Sequence, residues 1–238
     1  MKPTGRVVAI VPAGGAGKRM GSTTPKQFRM LGEWPMMLYS LRVLDQSPSV
    51  AEVILVVPKE ERARALAEVI ERYGVKKVLK VVGGGATRQE SVSNGLQETE
   101  ADVEIVVVHD AVRPFVTEDL IERSIEMARK VGGAVVAIPM KDTPKQVGQD
   151  GSIQRTLDRT GLWHAQTPQT FRRAILLEAY RVALADHIHA TDDAALVERL
   201  GQPVGIVPGS WENIKITTPE DMMIAEAILA ARSKEVKR

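Results

Sequence analysis

The residues best suited to chemistry lie together near the start of the chain. A continuous apolar run, Val7–Val11, opens directly into Pro12-Ala13-Gly14-Gly15-Ala16-Gly17-Lys18-Arg19-Met20. Gly14, Gly15 and Gly17 let backbone approach a ligand closely and take unusual φ angles. The N–H groups of such a turn can form a concave cradle for phosphate oxygens. Lys18, Arg19 and, shortly after, Lys26 add positive charge. Anion binding, with stabilisation of charge at a phosphorus centre, is the chemistry this set could do. Two better-defined loops are excluded. The dinucleotide pattern G-x-G-x-x-G, counted from Gly15 and Gly17, needs glycine where Met20 stands. The P-loop needs glycine at Pro12 and Ser or Thr at Arg19. A glycine turn of purely structural use stays open on these residues alone.

Other candidates follow the later apolar runs. His109-Asp110-Ala111-Val112-Arg113-Pro114 closes the run Ile105–Val108. An aspartate at a strand's carboxyl end, beside a phosphate loop, is placed to hold Mg²⁺, which takes one or two carboxylates with phosphate oxygens and water. A helix cap or turn residue is the equal alternative there. His187 and His189 lie near Asp192-Asp193, but no third histidine is close, and the pair reads as loop and not as a metal site.

The elements that must position these residues are legible as alternation. Apolar, β-branched runs recur at Val7–Val11, Val53–Val57, Val78–Val82, Ile105–Val108, Ala134–Ile138 and Val204–Val207. They are continuous, as in strands buried on both faces. Segments of helical spacing lie between them. Leu120, Ile121, Ser124, Ile125 and Ala128 share one face, with Thr117 as N-cap and Glu118 and Asp119 at the positive helix end. Thr218-Pro219-Glu220-Asp221 opens another helix. Together they predict an α/β, Rossmann-like fold with a mostly parallel central sheet and helices on both faces.

Lys141–Gln169 breaks this rhythm. It has no long apolar run and carries Asp150-Gly151, a hairpin turn signal. So polar a hairpin is weakly stabilised alone, which leaves a surface excursion or an arm packed on a second subunit. The expected organisation is a single domain over residues 1–238 with this arm at about 141–169.

Composition bounds the partners. The chain has 238 residues and is 44% hydrophobic, enough for one large core. Its 32 Lys+Arg interleave with 30 Asp+Glu for a net charge of +2, which argues against nucleic acid and for a local anion pocket. With no cysteine there is no disulfide framework, thiolate metal site or cysteine nucleophile. Lys2 and Arg6 precede a run that ends at Pro12, too short for a secretion signal, and no stretch is long enough to span a membrane. A cytoplasmic protein is expected.

Pro12 to Met20, followed by Pro25-Lys26-Gln27, resembles the signature loop of nucleotidyltransferases that activate sugars and polyols. With Lys-Gln after the proline, it resembles the 2-C-methyl-D-erythritol 4-phosphate cytidylyltransferase family. Gly84–Val92 resembles that family's base-recognition segment, Asp158–Gln169 its dimer arm and substrate turn, and Thr191-Asp192-Asp193 with Asn213–Thr217 complete the match. Ala13-Gly14-Gly15 stands where members often carry Ala-Ala-Gly, and Ala86 where some carry an acid. The resemblance implies transfer of a cytidylyl group from CTP to a polyol phosphate, with Mg²⁺ on Asp110 and a homodimer. It implies that Arg19 and Lys26 are catalytic. Ala13, Gly14, Gly15, Gly17, Gly85, Arg88, Ser91, Asp110 and Ala111 are implied to bind the nucleotide, and Thr143, Arg159, Thr191 and Lys215 the acceptor, Arg159 across the subunit interface. A ribitol 5-phosphate cytidylyltransferase is the nearest alternative. A dinucleotide-dependent oxidoreductase is disfavoured by the failed glycine pattern and by Pro58-Lys59 where an acidic ribose ligand would stand. A non-catalytic nucleotide sensor would have no use for a second anion site.

Overall fold

The computed structural model describes residues 5–14 and 25–235. The chain runs β1 (Arg6–Pro12), β2 (Met30–Leu31), β3 (Trp34–Pro35), α1 (Met36–Gln46) and β4 (Glu52–Val57). It continues through α2 (Arg62–Ala65, extended by a π-turn at Leu66–Glu71), β5 (Val78–Gly83), α3 (Arg88–Gln97), β6 (Val103–Val108) and α4 (Glu118–Val131). Then follow β7 (Gly133–Pro139), β8 (Lys145–Val147), β9 (Ile153–Thr156) and β10 (Trp163–Arg172). The last elements are α5 (Arg173–Ala185), α6 (Asp193–Arg199), β11 (Gly205–Pro208) and α7 (Pro219–Glu235).

One sheet of seven strands, in the order β11-β7-β10-β6-β1-β4-β5, carries the fold. All its neighbours pair in parallel except β10, which runs antiparallel to both β6 and β7. The six apolar runs are six of these strands. In β1, β4, β6 and β7 the side chains alternate between two cores, as the two-residue strand period requires. Val7, Ala9 and Val11 of β1 face α1, the α2 segment and α4. Val8 and Ile10 face α3, α5 and α6. The predicted caps form: Thr117 Oγ1 accepts from Leu120 N–H at 3.3 Å, and Thr218 Oγ1 from Asp221 N–H at 3.3 Å.

The seventh strand, β10, lies within the stretch read from sequence as irregular. Its sequence, WHAQTPQTFR, buries Gln166, Thr167, Gln169 and Thr170 in the middle of the sheet. A buried strand made of amides and hydroxyls leaves no apolar run to find. Those groups are instead satisfied by hydrogen bonds, as burial demands. The excursion therefore ends before Trp163. Its remaining part is the hairpin β8–β9, whose strand residues are all exposed. Gly151 takes the left-handed conformation in its turn, at φ 80°.

Helix α3 matters most for the site. Gly95 lets it lie close on the sheet, because a Cβ there would meet Ile10 Cγ2 at 2.7 Å and Val56 Cγ2 at 3.0 Å. Burial of Val92 and Leu96 on the same face fixes the helix, each such side chain contributing about 1.5–3 kcal/mol. Its first turn, with Arg88 and Ser91, is thereby held at the carboxyl ends of β1 and β4.

Candidate active site

After β1 the chain continues on one side to β4 and β5, then returns to place β6 on the other side of β1. Ligands of open α/β sheets bind at such a switch point, outside the carboxyl ends of the strands. A cleft of about 410 Å³ opens there. Ala13 and Gly14 follow β1, Gly85, Arg88 and Ser91 follow β5, Asp110 follows β6, and Lys26 and Lys215 close the sides.

Asp110 is the electrostatic centre. Arg88 Nε donates to its Oδ1 at 3.1 Å, Lys215 Nζ lies 2.8 Å from Oδ2, and Arg113 Nε is 3.5 Å from Oδ2, an ion pair without a formed hydrogen bond. Burial alone would raise the Asp110 pKa. The charges of Arg88, Lys215 and Arg113 more than reverse this and hold the carboxyl well below the usual range. Asp110 is an anion at any ordinary pH, and three cations are held around it.

The backbone of Asp110 is held by a chain of defined polarity. His109 Nε2 lies 3.2 Å from the Arg113 carbonyl, which can only accept, so Nε2 carries the proton. His109 Nδ1 then accepts from Thr167 Oγ1 at 3.0 Å, and that oxygen accepts from Asp110 N–H at 3.1 Å. Burial keeps His109 neutral, with its pKa pushed down to about 4. Asn213 steadies the segment bearing Lys215 by donating to the Thr167 carbonyl at 2.9 Å. Strand β10 thus anchors both Asp110 and the approach to Lys215.

On the nucleotide side, Ser91 Oγ donates to the Thr87 carbonyl at 2.9 Å and accepts from Gly85 N–H at 3.2 Å. Gly85 has no room for a Cβ, which would run into Glu90 Cβ. Ala13 N–H donates to the Val56 carbonyl at 2.7 Å. Lys26 sits on a 3₁₀ turn, Lys26–Phe28, with Nζ 3.5 Å from the Ile216 carbonyl.

The structure thus brings together Ala13, Gly14, Lys26, Gly85, Arg88, Ser91, Asp110 and Lys215. Gly15, Gly17 and Arg19 lie outside the described residues. The Ala111 side chain is fully buried in the core, since the residue after Asp110 turns inward, which leaves its backbone as the part that can face a nucleotide. Thr143, Arg159 and Thr191 are exposed and do not line this cleft. Two residues were not singled out from sequence. Arg113, three positions after Asp110, turns back onto it. Gln27 lines the cleft with its side-chain amide buried and unbonded by any described residue. Both lie inside motifs already noticed, and only the fold shows where their side chains go.

A family model described as 2-C-methyl-D-erythritol 4-phosphate cytidylyltransferase matches residues 7–231. The chain belongs to this family. The protein of that name from Syntrophus aciditrophicus is 50% identical over 96% of this chain and 97% of its own. The one from Geobacter metallireducens is 48% identical over 94% of this chain and 97% of its own. The crystal structure of 4-diphosphocytidyl-2C-methyl-D-erythritol synthase from Anaerococcus prevotii superposes with a TM-score of 0.84 at 31% identity, covering 95% of this chain and 96% of that one. As a cytidylyltransferase fold, the cleft has a simple logic: glycine-floored backbone on one wall, and cations clustered about one fixed carboxylate on the other.

Proposed function

We propose that the protein transfers the cytidylyl group of CTP to 2-C-methyl-D-erythritol 4-phosphate and releases pyrophosphate. The observation that carries this reading is the buried Asp110 ringed by Arg88, Arg113 and Lys215 in a cleft at the switch point of the sheet. A phosphate oxygen of the acceptor attacks the α-phosphorus. The new P–O bond forms as the bond to the β-phosphate bridging oxygen breaks, and pyrophosphate leaves with that electron pair. The attacking group is already an anion, so no strong base is needed. The work lies in bringing two polyanions together and stabilising charge at the α-phosphate.

Lys26, with Arg19, takes up that charge. Lys215 draws the acceptor phosphate beside Asp110 and thus toward the nucleotide. Mg²⁺ fits the donor set: Asp110 offers one carboxylate, and the ion's other ligands are phosphate oxygens and water. Bound there, it would neutralise triphosphate charge, and Asp110 would exchange part of its contact with Lys215 for the ion.

The acceptor site is completed by a second subunit in this reading. The hairpin β8–β9 is exposed throughout, with Val147 opposite Ile153 on the pair. Arg159 and Thr143 are exposed and do not line their own cleft. An isologous dimer would bury that arm and deliver Arg159, whose fork suits phosphate, to the partner. Among the described residues no helix is long and apolar enough to cross a membrane. A chain without cysteine suits the cytoplasm.

The test is pyrophosphate release on mixing protein, CTP, Mg²⁺ and the acceptor. Release with 2-C-methyl-D-erythritol 4-phosphate and not with ribitol 5-phosphate or UTP is expected. Absence of release with the first acceptor overturns the proposal.

A further inference from the structure

Arg88 is held from behind as well as from the cleft. Its Nε donates to Asp110 Oδ1 at 3.1 Å, while Nη2 donates to Asp193 Oδ2 at 2.8 Å. Asp193 is fully buried, and Tyr180 donates its hydroxyl to the other oxygen. The backbone around Asp193 is pinned in turn, because Gln169 Oε1 accepts from Asp193 N–H at 3.0 Å and from Ala194 N–H at 3.1 Å. A second clamp lies next to the first. Gln89 donates to the Ile188 carbonyl at 3.0 Å and accepts from Ala190 N–H at 3.0 Å, docking the loop before Asp193 against α3.

We propose that Asp193, backed by Tyr180, is a positioning residue for the nucleotide: it fixes the Arg88 guanidinium so that its Nη1 group meets the triphosphate. The inference rests on the function proposed above. Nε and Nη2 share one edge of the guanidinium plane, and both are engaged. Nη1 carries no hydrogen bond to a described residue and is the group left for the cleft that Arg88 lines. A free arginine side chain would lose its rotamer freedom on binding; one already held by two carboxylates has lost it before CTP arrives. Stability alone explains the arrangement poorly, since a buried ion pair contributes little beyond what apolar packing would give. Asp193 also has a charge role. With Asp110 it balances all but one of the charges on Arg88, Arg113 and Lys215.

A double-mutant cycle tests this. Asp193→Asn keeps the shape and removes the charge. In the otherwise unchanged protein it should weaken CTP about tenfold, read both as KM and as Kd by titration calorimetry, and leave the acceptor KM within about twofold. In an Arg88→Gln background the same change should cost less than about twofold. Equal losses in both backgrounds, or a loss that falls on the acceptor, would overturn the proposal. If Asp193→Asn does not fold, Tyr180→Phe serves: about threefold weaker CTP binding, abolished in the Arg88→Gln background, is expected, and unchanged CTP binding refutes the relay. Failure of the unaltered protein to turn over would remove the functional reading. The calorimetric cycle would still decide the role of Asp193.

Discussion

Removing one charge at Asp110 separates the two duties of its cluster. Asp110→Asn leaves Arg88, Arg113 and Lys215 around a neutral amide. Whichever way the amide turns, its NH₂ faces a donor: Arg88 at one oxygen position, or Lys215 and Arg113 at the other. Breaking a buried pair by removing one partner costs about 3–5 kcal/mol. The side chains of Arg88 and Lys215 are 27% and 36% exposed and can hydrate, whereas that of Arg113 is only 11% exposed. One cation of the three is truly stranded, so the cost should sit near the low end, about 3 kcal/mol. For a chain of this size that is roughly a 6–12 °C fall in melting temperature. Because the folded pKa of Asp110 is depressed, its contribution is fully present above the unfolded carboxylate pKa of about 3.9. The loss should therefore be constant from pH 6 to 9. Thermal denaturation followed by circular dichroism measures it, and pyrophosphate release measures turnover. Metal-free CTP binding should change little, since Arg88 loses one of its two carboxylate holds as an anion leaves an anion site, while kcat falls about 100-fold. A melting temperature within about 2 °C of the unaltered protein, at any pH in that range, would show that the three cations do not depend on Asp110 and would refute the reasoning.

Other expectations follow from the same geometry. Lys26→Ala and Arg19→Ala should each lower kcat about 100-fold or more with little change in melting temperature, which steady-state kinetics beside calorimetry would show. If Arg159 acts on the partner's cleft, mixing Arg159→Ala subunits with Asp110→Asn subunits should rebuild one intact site in each mixed dimer and recover about a quarter of full activity; no recovery would place Arg159 in its own site or in none. His109 is neutral when folded, with a pKa pushed down to about 4 by burial, so the unfolded chain binds the extra proton first. Stability should fall by about 3 kcal/mol between pH 6.5 and 4, and His109→Gln should flatten that slope in urea titrations. Gly95→Ala should destabilise by about 1–3 kcal/mol, because the added methyl meets Ile10 and Val56 where the helix cannot lift without moving Arg88.

The parts of this fold that announce themselves in sequence are those whose burial is apolar. Six strands are legible by their apolar runs, four of them (β1, β4, β6 and β7) with both faces in a core, and the helix starts at Thr117 and Thr218 are legible because a hydroxyl must cap exposed N–H groups. Asp150-Gly151 marks its hairpin because Gly151 accepts a positive φ at no cost. Within the site, the glycines and Asp110 are legible by their place after strands, Lys26 by its charge close behind the glycine turn, and Lys215 only through the family resemblance. Their pairings are not. Arg88 meets Asp193 across 105 positions of chain, and only the closing of α6 onto α3 brings them together.

The polar strand joins both halves of this account. A strand in the middle of a sheet is the costliest place to leave amides and hydroxyls unless every one is bonded. In β10, Thr170 bonds Ser124, Gln169 holds the start of α6, Thr167 holds His109 and Asp110, and Gln166 reaches the Ser210 carbonyl. Three of these four contacts end on the segments that carry Asp193, Asp110 and the approach to Lys215. An apolar β10 would satisfy the sheet equally well and leave those segments unanchored. The same hydrogen bonds that allow this strand to be buried therefore fix the cations of the cleft in place before any substrate binds, which is the condition electrostatic catalysis sets.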